Sequence, residues 1–382
     1  MSEHKIRVGI TCGDPNGIGP EVVIRSLSDG QAWELFTPVV YGPSKAVTHY
    51  KNTIEDAAAG VPVAAFQPVM VASAREAKAK RVNMVECNGL GDGGGNGNGA
   101  GGGELRIEPG TATPAGGRAA VAALQAAVAD LKAGHLDVIV TAPINKENVQ
   151  SDDFRFTGHT EFFAHEFGGT PLMMMCSEVL RVGLVTIHIP VARVAQAITK
   201  EKIVERLTAL RHSLVADFGV VEPRIAVLSL NPHAGDGGLL GTEEKEIIAP
   251  AIEQARAQGI LAFGPMAADG LFASGAFHRY DAILAMYHDQ GLAPFKALTP
   301  EGVNFTAGLE VIRTSPDHGV AYDIAGQGKA DPASMRQAIW MAIDIFNTRH
   351  NYNQMSHNPL RRYERERAGK DLSVKDLIPE TE

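Results

Sequence analysis

The 382-residue sequence is poor in cysteine, and its three cysteines, Cys12, Cys87 and Cys176, lie far apart. A small, odd number of scattered cysteines excludes a disulfide framework and a cysteine-rich zinc module, and it is typical of a reducing compartment. No stretch of about 18 uncharged apolar residues occurs, and the first residues show no apolar segment followed by a cleavage site. From these absences we expect a soluble, cytoplasmic protein without a membrane partner.

Clustered positive charge is also missing, since the formal net charge is -9. Affinity for nucleic acid rests largely on clustered lysine and arginine, so a nucleic-acid partner is not expected. With 45% hydrophobic and 21% charged residues the chain can bury a sizeable core. Its length is more than one ordinary domain needs and suits two domains.

Glycine, in contrast, is abundant, with 41 residues where an average chain of this length would have about 27. Ten of the sixteen residues from 88 to 103 are glycine. This segment contains a G-x-G-x-x-G match, but neither a strand before it nor a helix directly after it supports a dinucleotide-binding fingerprint. We expect a flexible surface insertion there, and a charged, solvated tail at 353–382.

Short apolar runs alternate with helix-like segments along most of the chain. The pattern predicts strands at 6–11, 35–41, 136–140, 182–187, 224–230, 280–286 and 319–324, and helices at 117–132, 191–214, 243–258 and 332–347. Strands with apolar residues on both faces, separated by helices, indicate a mainly parallel sheet covered by helices on both sides. The predicted fold class is therefore α/β.

Three successive predicted strands are each followed by a histidine, namely His188, His233 and His288. In open α/β sheets the carboxyl ends of the strands are the edge where ligands bind, so we expect the three imidazoles to converge. Three neutral imidazoles suit a catalytic divalent metal, because they leave coordination positions open for water or substrate. The alternative is that each histidine only hydrogen-bonds a neighbouring carbonyl at the end of its strand.

Further polar residues have patterns typical of ligand binding. His159 and Thr160 begin a predicted helix, from which both can hydrogen-bond the oxygens of a ligand in a cleft. Lys296, Asn304 and Arg313 follow the third histidine, and such a trio can hold a phosphate or a carboxylate, although surface salt bridges are an equal alternative. The candidate acids near a metal are Asp236, Asp269 and Asp289.

Two segments, one near each end of the chain, resemble segments of the isocitrate and isopropylmalate dehydrogenase superfamily. The sequence GDPNGIGPEV at 13–22 resembles its opening, with two extra residues in the turn, and DHGVAYDIAGQGKADP at 317–332 resembles its adenosine-binding loop. Within the superfamily the chain is most similar to the 4-hydroxythreonine-4-phosphate dehydrogenase family, through five motifs: TAPINK at 141–146, TGHTEF at 157–162, NPHAG at 231–235, AMYHDQG at 285–291 and GVN at 302–304.

The resemblance implies a two-domain fold with the active site in the cleft between the domains. Residues 1–135 plus 300–382 would form a discontinuous nucleotide-binding domain, and residues 136–299 a domain for metal, substrate and dimerisation. It also implies a homodimer whose active sites lie at the subunit interface.

The activity that the resemblance implies is NAD-dependent oxidation and decarboxylation of 4-phosphooxy-L-threonine to 3-amino-2-oxopropyl phosphate, in pyridoxal phosphate biosynthesis. The ligands implied are NAD, the small phosphorylated substrate and one divalent ion, with zinc expected before magnesium or cobalt. The residues implied are His188, His233 and His288 for the metal, and His159, Thr160, Lys296, Asn304 and Arg313 for the substrate. In the segment that resembles the adenosine-binding loop we expect cofactor contacts from His318, Gly319, Asp323, Ile324 and Asp331. The catalytic candidates are Asp269, Asp289 and Lys146, and a metal-bound hydroxide is an alternative base.

Other interpretations stay open on the sequence alone. The same chemistry could act on a four-carbon sugar-acid phosphate, such as D-threonate or D-erythronate 4-phosphate. A phosphate acyltransferase of similar architecture would need neither metal nor nicotinamide, and a regulatory homologue would have no activity. Asp323 favours NAD over NADP, since a carboxylate accepts hydrogen bonds from ribose hydroxyls and repels a 2′-phosphate.

Overall fold

The computed structural model describes residues 5–57, 63, 65–89, 105–151, 154–156 and 158–359. Residues 90–103 of the glycine-rich segment, Thr157 of the motif at 157–162 and the tail beyond residue 359 lie outside this part of the chain. Within the described residues, no helix is both long and apolar enough to cross a membrane.

Strands and helices alternate along the described chain. The strands are β1 (Ile6–Thr11), β2 (Phe36–Gly42), β3 (Val69–Met70), β4 (Asn83–Glu86), β5 (Val138–Thr141), β6 (Leu172–Cys176), β7 (Arg181–Leu184), β8 (Arg224–Leu228), β9 (Leu261–Met266), β10 (Ala282–Ala285), β11 (Val303–Ala307) and β12 (Arg313–Pro316). The helices are α1 (Gly19–Ser26), α2 (Ser44–Ala57), α3 (Pro114–Lys132), α4 (His159–Phe167), α5 (Val194–Ala197), α6 (Lys200–Ala216), α7 (Ala249–Ala257), α8 (Ala268–Ala273), α9 (His288–Leu298) and α10 (Ala333–His357).

The described strands form one sheet, in the order β3-β4-β2-β1-β5-β12-β11-β6-β7-β10-β8-β9. Pairing is parallel from β3 to β12 and again from β7 to β9. Between these two halves, β11 and β6 form antiparallel pairs with each other and with their outer neighbours, so the two parallel halves run in opposite directions. The predicted α/β class with a mainly parallel sheet is confirmed; the division into two domains stays a prediction.

The two faces of the sheet are covered differently. On one face a continuous core joins β1, β5, β6 and β11 to helices α1, α2, α6 and α10. On the other face there are two separate cores, one between β2 and helices α3 and α4, the other between β6, β7, β8 and β10 and helices α8 and α9. The gap between these two cores lies over the antiparallel centre of the sheet, and it is there that the candidate site is found.

Two sequence predictions about local structure are wrong. Residues 319–324 were expected to form a strand, but they lead into a turn, while the nearby strand is β12. Hydrogen bonds to the N-terminal turn hold this segment in place of strand pairing. The Val320 carbonyl accepts the Ile18 N–H at 2.9 Å, and the Tyr322 hydroxyl donates to Asp14 at 2.7 Å. The helix expected at 191–214 is interrupted before Thr199, whose hydroxyl caps α6 by accepting the Lys202 N–H at 3.2 Å.

Candidate active site

A row of polar side chains on the sheet marks the candidate site. Arg313 and Ser315 are two residues apart on β12 and therefore share a face, and Ser315 is paired with Asn304 of β11. These residues line a cavity of about 210 Å³ between the two separate cores. Six further predicted residues contribute to its walls: Lys146, His159, Thr160, His188, His318 and Gly319.

Arg313 is the charged group at the floor of the cavity, and it is only 2% exposed. Its guanidinium donates twice to the Thr141 hydroxyl, at 3.0 and 2.7 Å, and once to the Thr306 hydroxyl, at 3.1 Å. No carboxylate of the described residues lies within ion-pair distance of it. Burial lowers the pKa of Arg313 to about 9. A buried cation without an anionic partner is costly, so this position is prepared for an anion from outside the chain.

Three other polar atoms in the cavity wall are buried and have no hydrogen-bond partner among the described residues. They are Nε2 of His159, Oδ1 of Asn304 and Nε2 of His318. Buried polar groups in folded proteins are nearly always paired, so three such atoms around one cavity indicate a polar ligand.

The pKa values of the imidazoles in the cavity are lowered. Burial, together with the positive charges of Arg313 and Lys146, holds the pKa of His159 well below its usual value. Burial likewise lowers the pKa of His318, whose Nδ1 lies 3.1 Å from the Gly319 carbonyl. Neutral rings can hydrogen-bond ligand oxygens while Arg313 supplies the fixed positive charge.

The three predicted metal ligands follow β7, β8 and β10, which are parallel neighbours in the sheet as the sequence predicted. The imidazole rings of His188 and His288 lie close together, with their centroids 5.8 Å apart. His233 lines a separate cavity, together with Asp269 and Tyr287. In the described part of the chain no three His, Cys, Asp or Glu side chains are close enough to hold one metal ion. A single chain thus brings two of the three imidazoles together.

The loop that carries His233 has an unusual backbone. The backbone φ angles of His233, Ala234 and Asp236 are 51, 53 and 43 degrees. These values lie in the left-handed region, which residues other than glycine rarely adopt. Buried Glu244 fixes the start of this loop, because its Oε1 accepts the backbone N–H groups of Leu230 at 2.8 Å and Asn231 at 2.7 Å.

The remaining predicted site residues lie outside the 210 Å³ cavity. Asp289 is exposed, and its Oδ1 lies 2.7 Å from Nδ1 of His288. Lys296 forms an ion pair at 3.0 Å with Asp317, the residue that precedes His318. The Asp331 carboxylate accepts the Ala333 N–H at the start of α10, at 2.9 Å. Asp323 is exposed in the turn after residue 321, and Ile324 packs against the larger core.

The glycine-rich turn at 13–19 does not line the cavity, but its Asp14 N–H donates at 3.0 Å to the carbonyl of Pro143, which does. The buried Asp14 carboxylate accepts hydrogen bonds from Asn148 and Tyr322, both at 2.7 Å. Buried Asn16 accepts the Glu108 N–H at 2.8 Å and donates to Thr113 at 3.0 Å. Through the bond from Tyr322 to Asp14, this polar network joins the motif at 13–22 to the segment at 317–332.

Sequence reasoning missed four residues of the site: Thr141, Thr306, Glu161 and Glu244. Thr141 and Arg313 are 172 positions apart in sequence, so only strand pairing shows that they touch. Glu161 lines the cavity from the first turn of α4, and its place in the motif at 157–162 was the available signal.

Comparison with known proteins gives a consistent result. A family model described as pyridoxal phosphate biosynthetic protein PdxA matches residues 34–342. The chain is 47% identical to a 4-hydroxythreonine-4-phosphate dehydrogenase of Bacteroides thetaiotaomicron, over 100% of both sequences. It is 40% identical to one of Desulforapulum autotrophicum, over 90% of this chain and 96% of the relative. A crystal structure of the Klebsiella pneumoniae enzyme of that name is similar with a TM-score of 0.73 and 34% identity, covering 91% of this chain and 99% of that one.

Proposed function

The chain belongs to the PdxA family of pyridoxal phosphate biosynthetic proteins, and on this premise we propose that it oxidises 4-phosphooxy-L-threonine with NAD. Oxidation of the secondary alcohol gives a ketone β to the carboxylate, and loss of carbon dioxide gives 3-amino-2-oxopropyl phosphate. The curated relatives carry the name of this dehydrogenase, which favours it over an acyltransferase.

One observation carries the proposal: the cavity has a buried guanidinium without a carboxylate partner, and around it lie three buried polar atoms without a hydrogen-bond partner among the described residues. The substrate has a phosphate and a carboxylate, either of which would satisfy Arg313 through a two-pronged hydrogen bond. His159 and Thr160 would orient the substrate oxygens, and Asn304 would take a further hydrogen bond. Lys296 would then provide a second positive charge at the edge, beside Asp317.

For the cofactor we propose NAD, held by the segment from His318 to Asp331. His318 and Gly319 line the cavity where the nicotinamide would meet the substrate. The exposed carboxylate of Asp323 is free to face the ribose hydroxyls and would repel a 2′-phosphate. Asp323→Lys should therefore shift the preference toward NADP, and equal use of both cofactors by the wild type would count against this assignment.

For the metal we propose His188, His233 and His288 as ligands of one divalent ion, zinc before cobalt or magnesium. Imidazole suits zinc and cobalt, and the near approach of His188 and His288 fits a shared ion. His233 lies in the neighbouring cavity, so the set would be completed in the homodimer, whose active sites we propose to lie at the subunit interface. When bound, such an ion supplies Lewis acidity toward the substrate alcohol and the enolate left by decarboxylation.

The alcohol proton needs an acceptor, and the candidates are Lys146, Asp269 and Asp289. Lys146 lines the substrate cavity. Asp289 lies beside His288, and Asp269 lines the same separate cavity as His233. Single substitutions, Lys146→Met, Asp269→Asn and Asp289→Asn, separate them, because loss of the true acceptor removes one limb of the pH–rate profile.

We further propose that the enzyme works in the cytoplasm. All three cysteines are buried as free thiols, which fits a reducing compartment.

The test is NADH formation by metal-loaded protein with each candidate substrate. We expect turnover of 4-phosphooxy-L-threonine to exceed that of D-threonate and D-erythronate 4-phosphate, and chelation to abolish it until metal is restored. Turnover of only the sugar-acid phosphates would assign the same chemistry to another substrate. Activity that survives complete removal of metal would contradict the metal assignment.

A further inference from the structure

A second and larger cavity lies on the opposite face of the sheet from the substrate cavity. Val303 and Asn304 are consecutive on β11, so their side chains point to opposite faces. Asn304 lines the substrate cavity, whereas Val303 lines this second one, whose volume is about 520 Å³. We call it the α10 groove, because one face of that helix lines it through Gln337, Trp340, Met341, Asp344, Ile345 and Thr348.

The α10 groove leaves apolar side chains open to solvent. Val179 and Leu298 line it together with α10, and they are 52% and 45% exposed. Trp340 is half-buried, since its ring packs edge-on against Phe36 with the centroids 5.6 Å apart and also lines the groove. Large apolar side chains exposed around one concave surface are typical of a site that another segment covers.

The charged side chains that line the groove are mostly acidic. Glu178, Glu301 and Asp344 are among them, and none of these three carboxylates has an ion-pair or hydrogen-bond partner in the described part of the chain. The cation in the lining is Arg181, whose guanidinium lies over the ring of Phe218, 4.7 Å from its centroid. Unpaired negative charge beside apolar surface favours an occupant that is positively charged.

Trp340 and Asp344 together suit a guanidinium rather than an ammonium. They are four residues apart on α10 and are therefore neighbours on one face of the helix. A guanidinium can stack on an indole ring and donate two parallel hydrogen bonds to a carboxylate, which a lysine ammonium cannot do. The occupant that fits this groove is therefore rich in arginine.

The chain itself has such a segment, shortly after α10 ends at His357. The sequence RRYERER at 361–367 lies outside the described residues and contains four arginines. Asp344 is about 20 Å from His357 along the helix, whereas residues 358–367 can span up to about 33 Å when extended. The segment is therefore long enough to reach the groove, and its short connection gives it an effective concentration on the order of millimolar.

We propose that the arginine-rich segment at 361–367 binds in the α10 groove of its own chain. One guanidinium lies on Trp340 and pairs with Asp344, and the other arginines face Glu178 and Glu301. The bound segment covers the exposed apolar side chains at the edge of the groove. The proposal does not depend on the identity of the substrate, because the groove and the substrate cavity share no lining residue.

The fluorescence of Trp340 reports whether the groove is covered. The chain has two tryptophans, so Trp33→Phe leaves Trp340 as the single reporter in the full-length protein. In this background, Arg361→Gln, Arg362→Gln, Arg365→Gln and Arg367→Gln together should raise the constant for quenching by acrylamide about twofold, because the indole loses its cover. The four corresponding lysine substitutions keep the charge but stack less well, and they should give an intermediate value.

Substitutions in the groove test the other side of the contact. Glu301→Lys with Asp344→Lys should raise quenching as the glutamine substitutions do, and glutamate at the four arginine positions of that variant should restore part of the protection. The matched control is Glu201→Lys with Glu253→Lys, which changes the net charge equally at exposed acids of α6 and α7 outside the groove. It should leave quenching unchanged.

The segment is also tested as a separate peptide. A synthetic peptide of residues 358–370, added to the full-length variant with four glutamines, should restore the protection of Trp340, and the same peptide with four glutamines should not. Equal quenching of the wild-type and glutamine segments would overturn the proposal. Protection that increases with protein concentration would overturn it as well, since it would assign the groove to the segment of a second copy, whereas binding within one chain is independent of concentration.

Discussion

At the scale of single residues, the orientation of Arg313 depends on two hydroxyl groups. Thr141 accepts two of its N–H groups and Thr306 a third, and both threonines are buried. These contacts fix the plane of the guanidinium before any ligand binds, and such preorganisation reduces the entropy lost on binding. Thr141 and Thr306 are therefore positioning residues.

Replacing Thr141 by valine tests this role. The variant keeps the shape of the side chain but leaves two donors of a buried guanidinium without an acceptor, so we expect about 1–3 kcal/mol of lost stability and about a tenfold rise in substrate KM. Thr141→Ser keeps the hydroxyl and should retain most of the affinity. Thermal unfolding and steady-state kinetics measure the two effects, and unchanged KM in the valine variant would contradict the role.

The lowered pKa values of His159 and His318 predict how the free energy of unfolding depends on pH. The pKa of His159 in the folded protein lies below its ordinary value of 6.5, so the unfolded state binds a proton at a pH where the folded state does not. Stability is therefore greatest above that value and falls as the pH drops below it, by up to about 1.4 kcal/mol per pH unit for one such group. His318 is shifted in the same direction and adds to the slope.

The measurement is urea unfolding of wild type and His159→Asn between about pH 7.5 and about pH 5.5. We expect the wild type to lose about 1 kcal/mol more than the variant over this interval, since asparagine does not titrate. If the free energy of unfolding fell equally with pH in the two proteins, His159 would bind protons equally in the folded and unfolded states, and the prediction would be wrong.

At the scale of elements, helix α1 holds the proposed cofactor segment. The Glu21 carboxylate is fully buried and accepts the Ala330 N–H at 2.8 Å. On the next turn Arg25 donates to the Ala330 carbonyl at 2.6 Å and lies 3.4 Å from Glu21. Burial raises the pKa of Glu21, opposed by these hydrogen bonds and by the charge of Arg25. The pair thus links the N-terminal motif to the segment at 317–332.

Glu21→Ala should weaken this link. It leaves the Ala330 N–H and part of Arg25 without a partner, for which we expect about 2–3 kcal/mol of destabilisation. KM for NAD should rise several-fold while KM for the substrate changes little, because Ala330 belongs to the proposed cofactor segment and does not line the substrate cavity. Glu34→Ala, at an exposed acid paired with Lys80, is the control and should alter neither constant. An equal rise in both constants would indicate a general loss of structure.

At the scale of the whole molecule, the sequence predicts individual strands and the residues that follow them. It does not predict contacts that depend on the pairing of strands far apart in sequence. The histidines after β7, β8 and β10 were found because each follows a buried apolar run. Strand β12 was missed because Arg313 and Ser315 are polar where a buried strand is expected to be apolar, and they are polar because they face the cavity. The antiparallel centre and the Thr141–Arg313 contact depend on strands far apart in sequence, which no local pattern shows.

The arrangement of the sheet explains where the site lies. One face has a continuous core, and the other has two cores that leave the polar residues of β11 and β12 uncovered. A ligand bound there would contact elements from both parallel halves, including α4, β12 and the loop after β7. Arg313 and three buried polar atoms without a hydrogen-bond partner among the described residues thus lie around this cavity, where a ligand can satisfy them.

We propose that this cavity binds 4-phosphooxy-L-threonine through Arg313 for oxidation by NAD. The most direct test is the initial rate of NADH formation from that substrate by metal-loaded wild type and by Arg313→Met, both shown to be folded by thermal unfolding. We predict steady NADH formation by the wild type, matched by carbon dioxide release, and a loss of at least about a hundredfold in kcat/KM for the variant. Wild-type protein that forms no NADH from this substrate, or a variant as active as the wild type, would contradict the account.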